Sequence, residues 1–149
     1  MAIIADIADA VVSALNTPPT PFSQTFTAQR QSLPILELET MDSTLYVNVL
    51  TSAIPAISQV SRDASRRDYR IEVVIQKRLA DETPASIDPL LTLAEEIIDT
   101  FQSQRLKDYK SAICVEVGNE PVYLADHLER LRQFTSVVSL TFRRKSVIT

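Results

Sequence analysis

The chain has 149 residues, a formal net charge of −4, 45% apolar residues and 23% charged ones, the composition of an ordinary folded globular protein and not of a disordered one. One glycine, one histidine, one cysteine and no tryptophan exclude the glycine-rich phosphate loops and clustered metal-ligating side chains on which most cofactor chemistry depends. The acidic balance is a poor footing for wrapping nucleic acid, so any basic patch is local. The length fits one domain, residues 1–149, that buries roughly 68–70% of the surface of its unfolded chain.

Ile3, Ile4, Ile7, Ala8, Val11, Val12 and Leu15 recur at helical spacing and predict a first amphipathic helix, ended by Asn16 and the prolines at 18, 19 and 21. This segment carries Asp6 and Asp9, lacks a basic leader and is too short to span a bilayer, so it reads as neither signal peptide nor anchor. Alternation over residues 22–29 predicts a strand, and residues 35–39 alternate again after Pro34. Residues 45–50 predict a firmer strand. Residues 51–67, with Pro55, four serines and three arginines, show no period and read as a long loop.

The clearest strand is residues 69–77, with Tyr69, Ile71, Val73 and Ile75 on one face. A loop over 79–87 leads to a second long helix that is expected to start at Asp88 with Pro89 in its first position and to bury Leu90, Leu93, Ala94, Ile97 and Phe101. Strands at 112–117 and 134–142 flank a short helix at 124–131. Strands grouped before and after a helix predict an α+β fold, a mostly antiparallel sheet with the two long helices packed on one face. Cys114, between Ile113 and Val115, has no partner for an intrachain disulfide, fits a reducing compartment and reads as a buried structural thiol.

No catalytic, cofactor-binding or metal-binding set assembles from these residues. His127 follows Asp126 directly, and adjacent helical positions point in different directions, so no triad geometry results. Asp108-Tyr109-Lys110 matches the Asp/Glu-x-Lys element of metal-dependent nucleases, yet it follows a helix where that element belongs on a central strand. Glu95, Glu96 and Asp99 read as the wet face of the second helix. Arg62, Arg66, Arg67 and Arg70 lack the interleaved aromatics of a nucleic-acid surface, and a polar docking loop is the better functional reading.

Ile7-Ala8-Asp9-Ala10-Val11, Ser61-Arg62 ahead of Tyr69-Arg70-Ile71-Glu72-Val73-Val74-Ile75, Leu93-Ala94-Glu95-Glu96-Ile97 and the closing run from Phe134 to Phe142 give a pattern over nearly the whole chain. That pattern resembles the small tail terminator or tail completion proteins of long-tailed bacteriophages. The resemblance implies a mixed α/β subunit closing into a hexameric ring in the virion, assembled in the host cytoplasm. The ring would cap the tail tube, stop its polymerisation and meet the head-completion or neck protein, while DNA passes through the lumen without specific binding. It implies no enzyme activity, no cofactor and no membrane. A neck, head-completion or tail-tube protein is the alternative in the same class, and a metal-dependent nuclease the alternative outside it. A ring needs two different complementary surfaces per copy. The sheet edges and residues 51–67, with Ser58, Ser61, Arg62, Arg66 and Arg67, are the expected interface.

Overall fold

A computed structural model describes residues 2–31, 44–61, 64–81, 83–120 and 122–147. Helix α1 (Ile3–Asn16) turns Ile7, Ala8, Ala10, Val11 and Leu15 inward, as the helical spacing of its apolar residues requires. Its end is tied to the sheet by a side chain that imitates a peptide. Asn16 Nδ2 donates to the Ala28 carbonyl at 3.2 Å, and Ala28 N–H donates to Asn16 Oδ1 at 2.8 Å. Those two bonds set the start of β1 (Ala28–Arg30), which is all that forms of the strand expected over 22–29. The alternation expected at 35–39 lies outside the described residues.

Strands β2 (Tyr46–Ser61) and β3 (Ala64–Arg78) form a long antiparallel pair whose last partners are Ser61 and Ala64. The long loop expected over 51–67 is therefore corrected: it is the outer half of β2 and the beginning of β3. Its lack of period has a physical cause. Register shifts between Thr51 and Ala53, between Ala53 and Ala56, and between Gln59 and Ser61 each insert a residue on β2 that β3 does not match. Every such bulge reverses the inside-outside alternation by which a strand is recognised. Pro55 falls in the second irregular stretch, where a missing N–H is tolerated on an edge strand.

Helix α2 (Pro84–Phe101) begins one turn before the expected Asp88, with Pro84 at its start and Pro89 inside it. Asp81 organises that start: its Oδ1 accepts from Thr83 N–H (3.1 Å), Thr83 Oγ1 (2.6 Å) and Ser86 Oγ (2.7 Å). These donors, the Thr83 hydroxyl foremost, hold the Asp81 carboxyl below the ordinary carboxylate range. The chain continues through β4 (Arg105–Leu106), β5 (Tyr109–Gly118), α3 (Ala125–Leu131) and β6 (Gln133–Val147).

One sheet results, in the order β1-β2-β3-β6-β5-β4, parallel only between β1 and β2. The expected α+β fold with two long helices on one face is corrected here. Strand outweighs helix, the six strands make a curled sheet, and the helices, at 14, 18 and 7 residues, are not long. The helices do not lie side by side on equal terms: α1 packs on β1 to β5 and so reaches both edges of the sheet, α2 packs on β5 and β6, and α3 packs on β6. The expectation failed because residues that went into strand were counted as loop.

Between helices and sheet lies the core. Val73 and Val138 are register partners, as are Ile71 and Leu140, and Tyr69 and Phe142, and all six are buried with Leu90, Leu93 and Ile97 of α2. Phe101 meets Phe142 edge to face, with ring centroids 6.3 Å apart.

Candidate functional site

The buried positions of β3 begin at Tyr69, and those of β6 end at Phe142. Beyond that line β2, β3 and β6 run on together as a three-stranded arm made of residues 54–61, 64–68 and 143–147. No described residue of the arm beyond that line is buried. Ile54 and Ile57, at 45% and 62% exposure, place large apolar side chains in solvent where no core requires them. Among the described residues the arm is held as a sheet by its ladder and by one ion pair across it. Arg143 Nε meets Asp68 Oδ1 at 2.9 Å and Nη2 meets Oδ2 at 3.2 Å, a two-pronged contact between register partners.

Pairing brings the sequence candidates together in rows. Ser58, Arg66 and Lys145 share one row across the three strands, and Ile57, Arg67 and Arg144 share the next. Successive residues of a strand point to opposite faces, so Arg66 and Arg67 serve different sides of the arm. Ser61 ends β2 opposite Ala64, and Arg62 lies outside the described residues. Sequence reasoning missed Arg144 and Lys145, because their place beside Arg66 and Arg67 arises only from β3–β6 pairing. The one available signal was the Arg-Arg-Lys run that directly follows the alternating residues 134–142.

Among the described residues, both sides of the sheet have uncovered backbone. β1 borders β2 only over Val47–Val49, followed by Gln31 N–H to the Val49 carbonyl. The remaining eleven positions, 51–61, contain no charged residue, and Pro55 and the three bulges are what interrupts this edge. On the far side β4 borders the first half of β5, ending with Cys114 N–H to the Gln104 carbonyl, and leaves residues 115–118 unpaired on that edge. Val115 there is 42% exposed.

The remaining chemistry is dispersed. A cleft of about 780 Å³ lies between α1, residues 17–22, the end of α2 and the turn at 104–108. Glu96 in its wall already accepts from Ser23 N–H (3.0 Å) and Ser23 Oγ (2.6 Å). His127 sits elsewhere, its Nδ1 2.9 Å from Thr135 Oγ1. Asp108 lies in the turn joining β4 to β5, with Lys110 just inside β5 and both exposed, and no group of three or more His, Cys, Asp or Glu residues able to hold a metal ion occurs among the described residues. Cys114 is buried under the sheet, and that burial pushes its thiol up to about 11. No protein-family model matches the sequence, and no curated protein matches it.

Proposed function

We propose that this chain is a tail-terminator subunit of a long-tailed bacteriophage, copies of which close into a six-membered ring on the end of the tail tube. The observation that carries the reading is one sheet whose two opposite strand edges are uncovered among the described residues, the larger of them long, uncharged and studded with exposed isoleucine. Unpaired backbone N–H and C=O groups are a template for another strand. Two unlike edges per copy permit head-to-tail contacts, which build a ring when the rotation closes. The resemblance of the sequence to tail terminators supplies the setting. The ring occupies the tail tube end, blocks further tube subunits and offers its other side to the head-completion or neck protein. DNA passes through the lumen without being held, in keeping with the net charge of −4. Capping needs shape and hydrogen bonding and no bond chemistry, so the subunit acts without cofactor or turnover.

Electron microscopy of the purified chain, alone and mixed with tail tubes, tests this. Six-fold rings seated on tube ends are expected. Long tubes grown from the chain alone would identify a tube subunit instead, and bare tube ends after mixing would overturn the proposal.

A further inference from the structure

Charge is divided between two parts of this molecule. The two larger helices are wholly acidic: α1 and α2 carry Asp6, Asp9, Asp88, Glu95, Glu96 and Asp99 and not one Lys or Arg. On α2, Asp88, Glu95 and Asp99 follow one another at intervals of seven and four, which places them on a single exposed stripe. The arm and the strand entering it have the opposite sign. Arg66, Arg67, Arg70, Arg144 and Lys145 have no carboxylate partner among the described residues, and the one arm carboxylate described, Asp68, is already taken by Arg143.

We infer that the arm of one copy docks on the α2 stripe of the next copy, so that the head-to-tail contact of the ring is electrostatic as well as strand-edge in character; this rests on the ring proposed above. Three observations select a second copy as the occupant. The signs are complementary. The lengths agree: Asp88 to Asp99 spans about 16 Å along a helix, and Arg66 to Arg70 about 13 Å along a strand. The exposed Ile54 and Ile57, the latter in the row of Arg67 and Arg144 on the other side of the arm, give the arm the mixed composition of a protein contact and not of a phosphate track. Such a contact orients copies and speeds their encounter, and it also discourages the like-signed approach of arm to arm.

Charge exchange tests the inference. One variant carries Arg66→Glu and Arg70→Glu, the other Glu95→Lys and Asp99→Lys, all partly or fully exposed positions. Circular dichroism and thermal melting verify folding, and Arg66→Gln with Arg70→Gln replaces the first variant if it fails to fold. Each variant alone is expected to assemble at least about tenfold more weakly than wild type by sedimentation, in the presence of tail tubes if these are needed for closure. The equimolar mixture is expected to regain assembly, because each acidic arm then meets a basic stripe and each basic arm an acidic one. Raising salt from about 0.1 to about 1 M, which shortens the screening length from about 10 to about 3 Å, is expected to weaken the wild type in the same direction. Variants that assemble alone like wild type, or a mixture no better than its parts, overturn this contact while leaving the ring standing. A wild type that forms no ring under any of these conditions overturns both. Duplex DNA bound by wild type and lost only in the arm variant, with assembly intact, assigns the cations to nucleic acid and overturns the inference.

Discussion

The inner and outer halves of the same three strands teach different lessons. Under the helices, the side chains of β3 and β6 facing inward are almost all apolar and buried, from Tyr69 to Ile75 and from Phe134 to Phe142. A few residues on, the ladders continue through Arg67, Arg144 and Ser65, where no described residue is fully buried, although the Nε of Arg144 is shielded from solvent. Backbone pairing alone is worth little net free energy in water, so strands that outrun their core by this much are not there for the stability of a single copy. The inner half makes the fold, and the outer half is available to a partner.

That division is sharpest where a single side chain is removed from the inner half. Phe142→Ala deletes a fully buried ring that packs edge to face on Phe101. A loss of about 3–5 kcal/mol is expected in urea unfolding, a large part of the total for a domain of this size. Removing far more of the outer half should cost less. Replacing residues 58–66 by Asn-Gly leaves Ile57 and Arg67 flanking a two-residue hairpin turn, and stability should change by about 1 kcal/mol or less, while ring formation on tail tubes is lost. An unfolded shortened chain would show that the arm belongs to the core after all.

How legible the molecule is follows the same line. The stripe of α1 could be read because no residue interrupts its helical period, and residues 69–77 because a strand between a helix layer and its neighbours must alternate strictly. The same β3 becomes unreadable at Ala64 to Asp68, where no core imposes a pattern. In β2 the three bulges hide the strand, and in α2 Pro89 imitates a first helical position that Pro84 actually holds. The candidate site was legible in part. Ser58, Arg66 and Arg67 stand in the paired strands of the arm and not in a loop, whereas the place of Arg144, Lys145 and the exposed isoleucines depends on pairing between distant segments. The acidic face of α2 was visible as solvated charge, but a use for it emerges only beside the cations of the arm.

Smaller effects probe the boundary between the halves. Asp68→Asn breaks the fork to Arg143, a pair of which the carboxylate is mostly covered and the guanidinium about one-third exposed. Screening limits the expected loss to about 1 kcal/mol or less; thermal melting checks it, and a much larger loss would place this pair inside the core. Smallest at neutral pH is the effect of Cys114. Its thiol is raised from the ordinary 9.0 to about 11 by burial, so the folded protein holds that proton where the unfolded chain has released it. The resulting stability is intact below pH 9.0 and declines as pH rises toward 11, with a limiting slope of about 1.4 kcal/mol per pH unit. Urea midpoints measured across that range should fall in wild type and fall less in Cys114→Ala; equal slopes would mean that the thiol contributes nothing.

A cryo-electron microscopy reconstruction of the chain on tail-tube ends tests the central claim most directly. It should reveal the arm of residues 54–61, 64–68 and 143–147 enclosed between adjacent copies, with Ile54 and Ile57 no longer in solvent. A ring whose copies touch through other surfaces, leaving the arm projecting into water, would contradict the account.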